Sequence, residues 1–156
     1  MSDKNIPFLP DALHLSVDEI DTQHGALFSL LSDIKENCLA SNQLPVERAT
    51  ELVNALHEHF RTEEKLASIA GYDFSEHAIK HVKMVSAIEK GLAEVISGTQ
   101  DAFSLLRYVE YWFERHIADE DRPLATYMAQ HPEHSIQELT PSCEPDGKIR
   151  TLDKSF

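Results

Sequence analysis

The 156-residue sequence predicts an all-α chain folded as an antiparallel up-down-up-down four-helix bundle with an N-terminal arm and a short C-terminal tail. Three observations carry this reading. Glycine (five) and proline (seven) are scarce, β-branched runs are sparse, and apolar residues recur at alternating spacings of four and three over long stretches. Short breaker segments divide the pattern into four, and short connections make sequential helices antiparallel neighbours.

The first helix is expected to open at Ser16-Val-Asp-Glu19, a capping box in which the two side chains satisfy free backbone N–H groups, and to run to about Leu39. Its inward stripe reads Ile20, His24, Leu27, Leu31, Ile34 and Cys38. Pro45 suits the first turn of a second helix, where its missing N–H is harmless, and Gly71 ends it. That helix places Leu52, Leu56, His59, Glu63 and Leu66 inward, so a histidine and a carboxylate lie one turn apart in the seam. The third helix starts near Phe74 and stops at Ser97-Gly-Thr, giving Phe74, His77, His81, Met84, Ile88, Leu92 and Val95. The fourth starts near Asp101 and turns Leu106, Val109, Phe113 and His116 inward.

His24 and the pair His77 and His81 fall near helix starts, whereas His59, Glu63 and His116 fall near helix ends. In an antiparallel bundle all of these lie at one end of the molecule. Burying a carboxylate is costly without a partner, and imidazoles alone could satisfy one another only through a network with little geometric tolerance. Divalent metals supply both the charge and the nitrogen partners. So many donors exceed one tetrahedral zinc and suit two metals sharing bridging carboxylates. The nitrogen-rich set disfavours calcium and magnesium and leaves iron, manganese, zinc or copper.

No Glu is followed three positions later by His, which removes the Glu-x-x-His of ferritin-like bundles, and no His-Glu-x-x-His helix is present. The residues instead resemble the hemerythrin family, in particular its single-domain bacterial members. The likeness runs through Ile20-Asp-Thr-Gln-His24 with Leu27-Phe28, His59-Phe-Arg-Thr-Glu63-Glu64, Gly71-Tyr72 leading to His77 and His81, and Trp112-Phe-Glu-Arg-His116-Ile117 followed by Asp121. It covers about residues 8 to 130.

The resemblance implies a non-haem di-iron centre, two Fe2+/Fe3+ ions with a solvent-derived oxo or hydroxo bridge, that binds O2 reversibly for storage, transport or delivery. By position, His77, His81 and His116 would hold one iron, and His24 and His59 the other. Glu63 and Asp121 would bridge them. The iron with two histidines keeps an open position for O2, beside Phe113 and Ile117. Asp121 is the ligand periodicity does not deliver: five residues past His116 is about 140° around an ideal helix, and Glu120 would be chosen instead. Pro123, which disfavours helical dihedrals at Arg122 and cannot donate to Asp119, suggests a kink there; with the family spacing it favours Asp121.

The chain departs from the family at Asp18, where glycine is usual, at Ala67, where Met is common, and at Phe113, where Leu is common; it also lacks a tryptophan just before the first helix. His14, His57, His131 and His134 are read as surface residues, and Asp21, Glu58 and Glu64 as solvated, with a supporting position behind the metal ligands as the alternative for Asp21. Residues 1–135 are expected to form the helical domain and residues 136–156 a flexible extension lacking periodicity.

Fourteen Lys and Arg against 27 Asp and Glu give a net charge of −13, which disfavours nucleic acid and anionic membrane surfaces. No apolar run approaches the roughly 18 to 20 residues of a membrane span, and the opening residues lack signal-peptide character. Cys38 and Cys143 are in no Cys-x-x-Cys pairing. A cytoplasmic location is expected. The rival functions are an O2, redox or iron sensor acting through a protein partner, and a di-iron redox enzyme of the peroxidase or NO reductase type.

Overall fold

The computed structural model describes residues 6–133, so His134, Cys143 and the expected 136–156 extension lie outside the described residues. The described chain is helical throughout, with no strand: α1 Asp18–Ser41, α2 Val46–Ala70, α3 Ser75–Ile96, α4 Ala102–His116 and α5 Arg122–Gln130. A π-helical turn, Ile117–Asp121, joins α4 to α5, and a 3-10 turn, Asp11–Leu13, interrupts the arm before α1. Helix α1 packs against α2 and α4, and α3 against the same two. The anticipated breakers do their work: Gly71 adopts a left-handed φ of 78° to close α2, and the Asp101 side chain caps α4 by accepting from Ser104 N at 2.9 Å.

The inward stripes meet as expected. Ile20, Leu27, Leu31 and Ile34 of α1 join Leu52 and Leu56 of α2, Met84 and Ile88 of α3, and Leu106, Val109 and Phe113 of α4 in one core. Each such aliphatic side chain contributes about 1.5–3 kcal/mol on burial. This apolar body occupies the middle of the bundle and leaves the polar seam residues at one end of it.

The start of α1 differs from the sequence expectation. Ser16 does not cap; it takes a left-handed φ of 65°, and Val17 precedes the helix with no side-chain cap. Asp21, read as solvated, is instead buried and accepts from Leu15 N at 2.9 Å and Ser16 N at 3.0 Å. Its carboxylate therefore satisfies two backbone donors where the arm bends into the helix, one of them the Ser16 N–H that Glu19 was expected to bond. The arm then lies across α1. A Cβ on Gly25 would stand 2.6 Å from Ile6 Cγ2 and 2.9 Å from Pro7 O, so the crossing needs glycine at that position.

Candidate metal centre

Six of the seven residues singled out by the sequence reach the centre through ordinary helical periodicity. His24 comes from the first turns of α1, His59 and Glu63 from the later half of α2, His77 and His81 from the first turns of α3, and His116 from the last residue of α4. Asp121 arrives by another device. The N–H of Arg122 bonds the carbonyl of Ile117, five residues back, so the π-helical turn holds one residue more than an α-helical turn. The residue five past His116 thereby comes round to the face that the residue four past would occupy on an α-helix. Asp121 is fully buried, and Glu120 points outward to pair with Lys80. The expected departure of Arg122 from helical dihedrals does not occur: its φ and ψ are −62° and −44°. The backbone loosens through its hydrogen-bond pattern and not through a break.

The seven side chains form two overlapping sets. Glu63, His77, His81, His116 and Asp121 each offer a ligand atom, all within 4.8 Å of one another, and His24, His59, Glu63 and Asp121 do the same. The two carboxylates are common to both. Glu63 Oε2 lies 2.8 Å from His59 Nε2 and 3.6 Å from His24 Nε2, while its Oε1 lies 3.1 Å from His81 Nε2 and 3.4 Å from His77 Nε2. Asp121 splits the same way: Oδ2 is 3.1 Å from His24 Nε2, and Oδ1 is 3.0 and 3.1 Å from the Nε2 atoms of His77 and His116. Each carboxylate thus turns one oxygen to the pair of imidazoles and the other to the three.

These contacts suit metal ions better than hydrogen bonds. His116 Nε2 sits 3.2 Å from His77 Nε2 and 3.0 Å from His81 Nε2, a crowding of three like atoms that no assignment of ring protons satisfies together with the nearby carboxylates. Both oxygens of Glu63, both of Asp121, and Nε2 of His24 and of His59 are buried without a well-aligned hydrogen bond, despite their proximity. Such a concentration of orphaned donors and acceptors is costly in a sealed interior unless cations stand between them.

The electrostatics agree. Burial works against charge on His24 and His77, yet the Asp121 and Glu63 carboxylates outweigh it and hold both imidazoles up at about 9. Burial favours the neutral form of His81, and with His116 and His77 nearby its pKa falls below the ordinary value despite Glu63. Burial raises the Glu63 carboxyl, but the charge of His59 and close contacts to His24, His59 and His77 bring it well below the usual range. Asp121 is raised by burial and by Glu63, and contacts to His116, His24 and His77 more than reverse this. The pocket therefore keeps both carboxylates ionised and draws positive charge inward.

Rings surround the centre. Phe60 stacks on His81 with centroids 3.7 Å apart, Phe74 on His77 at 4.3 Å and Trp112 on His116 at 4.5 Å. On the other side Phe113 meets His24 edge-on at 5.3 Å and packs against Phe28 at 5.1 Å, and Ile117, four residues on, is fully buried. Sequence reasoning missed these stacking partners and also Gln23, whose Oε1 stands 2.7 Å from His59 Nδ1. The stacking residues do carry a signal: Phe60, Phe74 and Trp112 lie one, three and four positions from a seam histidine. Of the histidines read as surface residues, His57 is exposed, His14 is partly buried near Asp21, and His131 stacks on Tyr127 at 4.0 Å.

Among the described residues no helix is long and apolar enough to cross a membrane. A family model described as the hemerythrin HHE cation binding domain matches residues 15–128. The chain is similar to a bacteriohemerythrin of Stenotrophomonas maltophilia (strain R551-3), at 25% identity over 78% of this chain and 80% of the relative. It is equally similar to a bacteriohemerythrin of Pseudomonas aeruginosa (strain LESB58), at 25% identity over 94% of each. No solved structure matches it. With two carboxylates shared between a three-imidazole and a two-imidazole set, and with the family's pattern spanning most of its length, the chain belongs to the hemerythrin family.

Proposed function

We propose that the protein binds O2 reversibly at a non-haem di-iron centre and serves to store, carry or deliver it. The observation that supports this most is the asymmetry of the two ligand sets, which share Glu63 and Asp121 but contribute three imidazoles to one metal and two to the other. In this reading His77, His81 and His116 would hold one iron and His24 and His59 the other, with Glu63 and Asp121 available to both. The helices follow the up-down-up-down order, and residues 1–135 form the domain that carries the centre.

Two irons held there would supply the electrons that reversible O2 binding requires. The chain's own residues do the rest. Glu63 and Asp121 balance charge without a proton, because their environment keeps them ionised. Phe113 and Ile117, 1% and 0% exposed, close the side with fewer ligands and keep water and protons from it. The Phe28 ring backs Phe113. This wall carries no acid or base, which favours binding over turnover as an enzyme.

Exposure of the anaerobically reduced, iron-loaded protein to O2 tests this. A visible charge-transfer band that appears with O2 and reverses on its removal is the expected result. Irons that turn over steadily with a reductant, and never show a reversible band, would assign the centre to redox catalysis.

A further inference from the structure

We propose that Gln23 is a positioning residue that fixes which ring nitrogen His59 presents to the metal pair; this rests on the metal reading of the centre given above. Gln23 immediately precedes His24, so it leaves α1 sideways towards α2 and not into the core. There it makes two hydrogen bonds. Its Oε1 lies 2.7 Å from His59 Nδ1, and its Nε2 donates to Thr62 Oγ1 at 3.0 Å. Thr62 Oγ1 in turn donates to the carbonyl of Glu58 at 3.2 Å.

These bonds set a direction of proton donation that runs through the whole chain of groups. The Thr62 hydroxyl has one proton and spends it on the Glu58 carbonyl, so towards Gln23 it can only accept. Only the amide nitrogen of Gln23 can donate to it, which leaves the amide oxygen facing His59. An amide oxygen only accepts. His59 Nδ1 must therefore carry a proton, and Nε2, 2.8 Å from Glu63 Oε2, is left as the nitrogen with a lone pair for a metal.

The arrangement is particular to this histidine. The Nδ1 atoms of His24, His77 and His116 are buried without a hydrogen-bond partner; His77, His81 and His116 are stacked on Phe74, Phe60 and Trp112, and His24 meets His59 and Phe113 edge-on. His59 has no such stacked partner: its contacts with Phe60, His24 and Phe113 are tilted or edge-on. A hydrogen bond does for His59 what a flat aromatic neighbour does for His77, His81 and His116.

Iron-loaded protein carrying Gln23→Leu, Gln23→Glu or Thr62→Val, compared with the unsubstituted chain, tests the inference through two readouts. The first is chelator competition, which gives the affinity for each iron; the second is the exchangeable imidazole N–H resonance of His59 in the paramagnetic proton spectrum of the Fe2+ form. Gln23→Leu should weaken one iron of the two by about 10- to 100-fold and expose the His59 N–H to rapid solvent exchange. Gln23→Glu, which keeps an acceptor, should restore both, and Thr62→Val should give an intermediate loss because the amide is then free to turn over. Wild-type affinity and a protected N–H in Gln23→Leu would overturn the inference, as would a Gln23→Glu variant as weak as Gln23→Leu or equal loss of both irons. An unsubstituted chain that holds no second iron would show instead that the metal reading itself had failed, and the role of Gln23 with it.

Discussion

The two sides of the Glu63 and Asp121 pair are built by different means. On one side three imidazoles converge from α3 and α4, their Nε2 atoms within 3.0 to 3.2 Å of one another where paired with His116, and each ring lies against an aromatic partner. On the other side two imidazoles come from α1 and α2, one of them in contact with Gln23, and Phe113 packs edge-on against both. The three-histidine side is richer in donors, and grooves edge both sides: His81 lines one between α2 and α3, His116 one between α3 and α4, and His59 with Gln23 one between α1 and α2. The two-histidine side is short of donors at its core. The shared carboxylates thus join a donor-rich set to a donor-poor one.

Removing what the sides share should have the largest effect. Glu63→Ala takes away both oxygens that face the two imidazole groups and leaves the facing histidines uncompensated, so metal analysis should find both irons reduced well below one per chain. A full di-iron spectrum in that variant would show that Glu63 does not bridge. Removing a donor from one side should separate them. His24→Ala should release first the iron assigned to the two-histidine side and retain much of the other, and simultaneous loss of both would mean that the sides are not independent enough to be distinguished.

The pH dependence sharpens the same contrast, because metal and protons compete for the same nitrogens. In metal-free protein His24 and His77 are raised to about 9, so their protonated forms stabilise the fold fully below about 6.5, and that contribution is lost as pH rises towards about 9. The depressed Glu63 and Asp121 act oppositely: their contribution is present above the ordinary carboxylate range and lost in acid. Iron needs neutral imidazoles, so the loaded protein should gain stability over the window in which the metal-free protein loses it. Melting curves of both forms between pH 6.5 and 9 should therefore slope in opposite directions. Parallel slopes would contradict the assignment of these histidines as ligands.

Smaller effects are expected outside the shared pair. Asp21→Ala leaves the Leu15 and Ser16 N–H groups without an acceptor, at a cost of about 1–3 kcal/mol. A urea titration should show that loss with both irons still bound, since Asp21 touches neither side. Phe113→Leu removes part of a ring packed against His24 and Phe28 and should cost about 1 kcal/mol. Stopped-flow release of O2 should change while iron content does not; loss of iron would make Phe113 a purely structural residue.

Much of the centre was legible in the sequence because it obeys helical periodicity. His24, His59, Glu63, His77, His81 and His116 stand in otherwise apolar stripes, where a polar residue is conspicuous. The end of the bundle at which they meet followed from their places along each helix. Asp121 escaped that logic because its placement depends on a backbone bond between Arg122 and Ile117 that no α-helical spacing encodes. Pro123 signalled an irregularity there, but not its form. The Ser16 capping box misled because Ser16 and Glu19 match a local motif, whereas Ser16 N–H is bonded by Asp21, buried by the returning arm. Gln23 was missed for a different reason: adjacent to His24, it falls off the inward stripe, and only the approach of α2 gives it a histidine to meet.

The most direct test of two unequal metal positions sharing two carboxylates is an anomalous-scattering crystal structure of the iron-loaded protein. It should show two iron peaks per chain, Glu63 and Asp121 contacting both, with His77, His81 and His116 at one and only His24 and His59 at the other. A single peak, or two with equal numbers of imidazoles, would contradict the account.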